Sequence, residues 1–338
     1  MSILLTLLIL TVIIFIHELG HFATAKYFKI PVSEFAIGMG PKLISKQVGE
    51  TLYAIRAIPI GGFVNIEGME PDSEIENGFN TKAAYKRFIV LFAGVFMNFV
   101  LAFLIVAGMV FTIGGSEQNP AAVIGQVADD SYAKEQLKSG DEILKIDEME
   151  IKDWDSLVNN LSAKKDEKVE LFVKRGNEEL KINTKLKYIE DQKRFVLGVF
   201  PEYTKIKYGI VAGSKEVVKQ YVNLFNSTFK GFKMLFAGEV KKEDISGPVG
   251  TVKIVKMFAN WGVSSLIFLT ALLSINIGII NLFPLPALDG GRILFVILEK
   301  IGVKVNKNTE EKIHKAGFIL LLGLIFVVTF NDIINLLK

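Results

Sequence analysis

Apolar positions along this chain follow two different rules. Four stretches carry no charged residue at all: Met1–Ile16, Phe88–Ser116, Met257–Leu288 and Ala316–Asn331. Crossing a bilayer core about 30 Å thick takes roughly 20 apolar residues of helix. The first stretch continues as an apolar face through Tyr27. The sixteen residues from Ala316 reach about 24 Å at 1.5 Å per residue, with Lys315 able to snorkel at one end and Asp332 able to sit at the opposite interface. The pattern predicts a multi-pass α-helical membrane protein with four transmembrane helices.

Elsewhere the period shortens. Thr51–Met69 has β-branched residues on both sides of Pro59-Ile60-Gly61-Gly62 and predicts a β-hairpin near the first span. Val123–Val127 and Glu142–Ile146 read as strands, Trp154–Leu161 as a helix, and Lys168–Lys174 with Glu179–Lys185 as a second hairpin around Arg175-Gly176-Asn177. These elements predict an inserted α+β module. Tyr208–Ala237 has the spacing of one or two amphipathic helices, interrupted before the third span by Ile245-Ser246-Gly247-Pro248-Val249-Gly250. The expected organisation is an N-terminal membrane half (1–116, with the hairpin at 51–69), the α+β module (117–203), amphipathic helices (204–256) and a C-terminal membrane half (257–338).

Composition sharpens this picture. In 338 residues the apolar share is 50%, which excludes a disordered or collagen-like chain. Lys+Arg 39 against Asp+Glu 36 leaves only +3, and no basic block interleaves with aromatics, so no nucleic-acid partner is expected. With no Cys, a metal site would have to use His and carboxylates. Lys29, Lys42, Lys46, Arg56, Lys82, Lys86 and Arg87 crowd the loop between the first two spans; Arg292, Lys300, Lys304, Lys307, Lys312 and Lys315 crowd the loop between the last two. Both loops therefore read as cytoplasmic, with the α+β module and both termini on the far side. Ala23-Thr24-Ala25 has the form of a signal-peptidase site, but the segment before it lacks Lys and Arg, and the first stretch reads as a retained helix.

The chemistry starts at His17-Glu18-Leu19-Gly20-His21. On a helix, positions i and i+4 share a face, so two imidazoles can hold one zinc ion while the carboxylate between them acts as general base on water. The pair lies about 24 Å along the first helix, at a depth where ionisable groups are costly and mark function. A third protein ligand is needed. Asp289 is the best candidate, ending the 32-residue uncharged run from Met257 after the helix-breaking Pro284 and Pro286. Glu34 and His314 are rivals.

Taken together, these strings resemble the site-2 protease family of intramembrane zinc metalloproteases, and within it the bacterial RseP-type branch with one PDZ domain. The resemblance rests on His17–His21, Gly61-Gly62, the string Ala93–Asn98, the stretch from Ser139 through Leu157 that is similar to a PDZ domain, Ser246–Gly250, Asn281–Gly290, and Asn331-Asp332. It departs where relatives have Gly-Leu and this chain has Gln136-Leu137, and where many have Ala-Gly-Pro against Ala93-Gly94-Val95 here. It implies Zn2+ held by His17, His21 and Asp289, Glu18 as general base, and substrate-backbone or oxyanion contact at Asn281. It also implies that the loop at Gly61 and Gly62 enters the membrane from the cytoplasmic side and pairs with extended substrate. Implied partners are single-pass transmembrane proteins such as trimmed anti-sigma factors, leftover signal peptides, peptide segments at the PDZ-like domain, and the lipid of a bacterial inner membrane. Two other classes share parts of the pattern: a PDZ-bearing membrane scaffold or chaperone, and a metal transporter.

Overall fold

The computed structural model describes residues 2–70, 75–164, 167–189, 194–240, 246–303 and 305–337. Met1, Ile245 and Lys304, named above, lie outside the described residues, as does 241–244 of the 204–256 segment. In chain order the elements are α1 (Ser2–Tyr27), β1 (Val32–Val48), β2 (Thr51–Ile66) and α2 (Ala84–Thr112), followed by β3 (Gly115–Gln118), β4 (Ile124–Val127), β5 (Glu142–Ile146), β6 (Met149–Glu150) and α3 (Trp154–Ser162). Then come β7 (Lys168–Arg175), β8 (Glu178–Lys185), β9 (Lys187–Ile189), β10 (Arg194–Val196), β11 (Val199–Pro201) and β12 (Tyr203–Ile206). The chain ends with α4 (Ile210–Phe236), α5 (Pro248–Asn260), α6 (Val263–Leu282), α7 (Asp289–Lys300) and α8 (Lys307–Leu337).

These elements form two compact units, one of residues 1–109 with 211–338 and one of residues 110–210. The second is the inserted domain. Its central sheet has the order β6-β5-β7-β8, with β7 and β8 in register from Lys168 opposite Lys185 to Arg175 opposite Glu178. Alternation along β7 turns Val169, Leu171 and Val173 into the core with Ile143, Ile146, Leu157 and Leu161, leaving the residues between them on the outer face. Asp153 starts α3 by accepting the Ser156 N–H at 2.7 Å, while the Ser156 hydroxyl oxygen accepts the Asp153 N–H at 3.1 Å, so two otherwise orphaned helix-end donors are satisfied. Pairing of β3 with β12 carries the compact unit beyond the expected limits of 117 and 203.

In the other unit, α1, α2, α6 and most of α8 are long and apolar enough to cross a membrane. Three stretches there take a form that the sequence pattern alone does not give. The uncharged run from Met257 is not one helix: α5 ends at Asn260, Gly262 takes φ +107°, and α6 begins afresh at Val263. Absence of charge says nothing about helix continuity; a positive-φ glycine breaks it. Most of residues 204–256, read from the sequence as amphipathic helices, fall in α4 and α5 of this unit. α4 packs along α2, with Tyr221 on Phe103 and Phe225 on Phe99, and its far end meets Phe283 through Phe232 and Phe236. α5 likewise packs against α1, α6 and α8. An amphipathic stripe needs a partner face, and charge on the opposite side lowers hydropathy without preventing that packing.

The predicted hairpin at 51–69 is also rearranged. Thr51–Ile66 is a single strand, the tight turn lies at Gly49-Glu50, and the partner is β1. Both strands bend, so Glu34–Ile37 lies between two parts of β2: Gly62–Asn65 on one side and Leu52–Ile55 on the other. Pro59-Ile60-Gly61 makes the bend rather than the turn. Gly61 supplies φ +70°, and a Cβ on Gly62 would sit 2.7 Å from the Ala36 carbonyl oxygen. The Gly62–Asn65 row forms an edge of this sheet and faces α1 through Val64.

Candidate metal centre

His17 and His21 lie one helical turn apart on the buried face of α1, their Nε2 atoms 3.1 Å from each other. Asp289 opens α7, and its Oδ2 lies 3.0 Å from His17 Nε2 and 3.4 Å from His21 Nε2. Ligand atoms of the three side chains fall within 4.8 Å of one another, the only such His/Asp/Glu group among the described residues.

The surrounding hydrogen bonds bear on what can sit between these atoms. His21 Nδ1 donates to the Val90 carbonyl at 2.8 Å; a carbonyl only accepts, so Nδ1 carries the proton and Nε2 is left with its lone pair. Asp289 Oδ2 is buried, yet no donor meets it with hydrogen-bonding geometry. A buried carboxylate oxygen that no donor satisfies is costly unless a cation joins it. Two imidazoles and one carboxylate are a donor set suited to zinc, with room for a fourth position. The residues present therefore fit the ion.

Small residues make the convergence possible. A Cβ on Gly94 of α2 would press on His21 Nε2 and lie 2.8 Å from His17 Nε2; one on Gly20 would strike the Ala93 carbonyl. Glycine at both positions lets α1 and α2 approach closely and keeps the space above the ring nitrogens open. Asp289 is presented by a tightly returning loop. A Cβ on Gly290 would strike the carbonyls of Leu282 and Phe283, and one on Gly291 that of Leu285. Ala287 adopts φ +73°, and its N–H donates to His314 Nδ1 at 3.0 Å.

That bond engages His314 in holding the loop before Asp289. Glu34 is engaged elsewhere too, with Arg56 at 2.6 Å and Lys42 at 3.4 Å. Neither rival ligand joins the group. Glu18 lies beside the histidines, and its Oε2 accepts the Val64 N–H at 3.1 Å. His17, Glu18, His21, Asn281, Asp289 and Val64 all line one cavity of about 290 Å³, which Arg292 also borders. Gly61 and Gly62 are not among its lining residues; Val64 and Ile66 of the same strand are. Gly94 and Asn98 belong to the string Ala93–Asn98, but the sequence pattern gives neither a role in the site. Asn98 was detectable, because a polar amide inside the uncharged stretch Phe88–Ser116 is an intramembrane polar group that asks for a partner.

Comparison with known proteins places the chain in a family. The profile of Peptidase family M50 matches residues 5–324. A Fusobacterium nucleatum protein bearing a zinc-metalloprotease name is 46% identical over 334 residues, covering 98% of each chain. The zinc metalloprotease RasP of Shouchella clausii is 30% identical over 414 residues, and the regulator of sigma-W protease RasP of Bacillus subtilis is 28% identical over 410, each match covering 97% of both chains. A crystal structure of the PDZ domain of an SdrC-like protein from Listeria innocua is similar to 25% of this chain and 96% of its own, at 24% identity and TM-score 0.23. Matched along nearly its whole length by the family profile, the chain belongs to peptidase family M50, the site-2 proteases, and is a zinc metalloprotease of the membrane.

Proposed function

We propose that the protein hydrolyses peptide bonds within or near the transmembrane segment of single-pass membrane proteins, as in regulated intramembrane proteolysis, with anti-sigma-factor-like proteins or leftover signal peptides as substrates. One observation carries this reading: the His17, His21 and Asp289 atoms converge beside helices long enough to cross a bilayer, next to the outward edge of a β-strand. A substrate helix has its backbone groups internally paired, and each one left unpaired in hydrocarbon costs several kcal/mol, so cutting it requires replacement partners. Strand alternation turns the backbone groups of Gly62 and Ile66 outward with those of Val64, and an unwound segment can add to that edge as a further strand.

In this reading His17, His21 and Asp289 hold the zinc, which when bound supplies Lewis-acid activation of water and of the scissile carbonyl. Glu18 takes the proton from the attacking water and passes it to the leaving amine nitrogen. Its place next to the Val64 N–H puts that carboxylate where the added strand would lie. Asn281, on the same cavity, donates to the substrate backbone or the developing oxyanion. The exposed Met39, Leu43, Ile44 and Ile58 of the bent sheet face lipid on the cytoplasmic side, from which water reaches the site. Both termini and the inserted domain lie on the opposite side of a bacterial inner membrane. There, a cavity of about 340 Å³ bounded by Trp154 and Leu157 of α3 and by Phe195, Leu197 and Val199 takes an extended peptide segment.

The test is Glu18→Gln in purified full-length protein, with zinc content and cleavage of a tagged single-pass helix measured beside the parent. Zinc stays near parental, and cleavage falls by a factor of about 10²–10⁴ or more, the usual range for losing a general base. No cleavage by either protein would point to a scaffold, and metal flux in sealed vesicles would point to a transporter.

A further inference from the structure

Asn98 lies in α2 with its side chain entirely buried, and its amide Nδ2 stands 3.2 Å from His17 Nδ1. Its backbone is pinned as well, since Ser274 Oγ of α6 donates to the Asn98 carbonyl at 2.8 Å. The amide oxygen Oδ1 is buried without a partner. A buried polar atom left unpaired costs about 1–3 kcal/mol, so its persistence asks for a reason.

The reason follows from the tautomer that a metal requires. With Nδ2 turned towards Nδ1, the His17 proton sits on Nε2, the atom 3.1 Å from His21 Nε2 and 3.0 Å from Asp289 Oδ2. A metal on Nε2 excludes that proton and moves it to Nδ1, which then needs an acceptor. Half a turn of the amide exchanges its two ends, which have nearly the same shape, and brings Oδ1 against Nδ1–H. His21 has the corresponding partner already, in the Val90 carbonyl. We propose that Asn98 is the positioning residue of His17, its amide oxygen accepting Nδ1–H and so fixing the ring and directing the Nε2 lone pair at zinc. The proposal rests on the zinc reading above and gives a role to a residue that touches neither metal nor substrate.

Two substitutions close in volume test it in the full-length protein, with zinc affinity of the metal-stripped chain measured by chelator competition. Asn98→Leu removes the acceptor and weakens zinc binding about 10–100-fold, as expected for loss of an outer-shell partner. Asn98→Asp supplies only acceptors and keeps zinc affinity parental or tighter, with an unchanged ligand-field spectrum after cobalt(II) substitution. A purely packing role would have Asp lose as much as Leu, and donation from Nδ2 would have Asp lose affinity outright; either result overturns the assignment, as does Asn98→Leu with parental affinity. Should Asn98→Leu fail to fold, the Asp variant alone decides between acceptor and donor. A parent that binds no zinc sinks the metal reading itself, which separates that failure from failure of the Asn98 assignment.

Discussion

Two carboxylates, Asp141 in the inserted domain and Asp289 in the membrane unit, are held in opposite ways. In the inserted domain, Asp141 is fully enclosed and fully partnered. Arg175 reaches it through Nε and Nη2, both at 2.7 Å, and the Lys138 N–H donates to it at 2.8 Å. In the membrane unit, Asp289 turns a buried Oδ2 towards two imidazole nitrogens, and no donor meets it with hydrogen-bonding geometry. The first arrangement is complete by itself and holds a strand end to the neck of a hairpin. The second is complete only with a cation, and the chain keeps it at a cost in stability. Buried charge alone therefore does not mark the working site; the unsatisfied bonding capacity around it does.

Exchanging each acid for its amide separates the two cases. Asp289→Asn removes the anionic ligand: we expect zinc to be lost from the purified protein and cleavage to fall below detection, with the inserted domain unfolding at the same denaturant concentration as before. Asp141→Asn should leave zinc content untouched. If Asp289→Asn kept stoichiometric zinc, the contrast would collapse and another residue would have to be the third ligand.

A subtler change acts on the empty side of the same group. Gly94→Ala places a methyl against the two Nε2 atoms without removing any ligand. Overpacking of this kind costs about 1–3 kcal/mol, roughly a 10–100-fold loss of zinc affinity, and spectra of the cobalt-substituted protein should show a distorted sphere. Gly108→Ala, at a glycine of the same helix whose Cβ would meet nothing within 4 Å, is the control and should bind zinc as the parent does. Equal affinity in both variants would show that Gly94 serves helix packing in general rather than the metal.

These contrasts also explain what could be read from the chain in advance. His17 and His21 were legible because a spacing of four on a helix is a local property, and the strands around Gly176 were legible because alternation is local too. Asp289 was reachable by elimination, since the chain has no Cys and few groups at the right depth. The bent sheet was not: β1 contains Gly38, Gly40, Pro41, Lys42 and Lys46 and reads as a basic loop, and it becomes a strand only because β2 folds to both sides of it. The packing of α4 was hidden for a related reason: the spacing of Tyr208–Ala237 shows an apolar stripe, but the face that covers it belongs to another helix. Gly94 and Asn98 act only through contacts made across α1 and α2, which no single-segment pattern contains.

The smallest expected effect lies in the pH response of the satisfied acid. Burial alone would raise the Asp141 carboxyl, but the Arg175 guanidinium and the Lys138 N–H outweigh it and hold the group below the usual carboxylate range. The folded domain then binds fewer protons than the unfolded chain at acid pH, so stability rises with pH across that interval. The contribution is fully present above the unfolded value of about 3.9 and is lost as pH falls through it towards the lower folded value. The chain has two tryptophans, and replacing Trp261 by Phe leaves Trp154, in the core of the inserted domain, as the fluorescent reporter of its unfolding in urea. At neutral pH, Asp141→Asn should destabilise the domain by about 1–3 kcal/mol, the worth of hydrogen bonds to a charged group. As pH falls below the unfolded value towards the lower folded one, the gap between parent and variant should narrow steadily. A gap that stayed constant as pH fell below the unfolded value would mean that Asp141 works through shape and not through its charge, and the contrast drawn between the two carboxylates would lose its electrostatic basis.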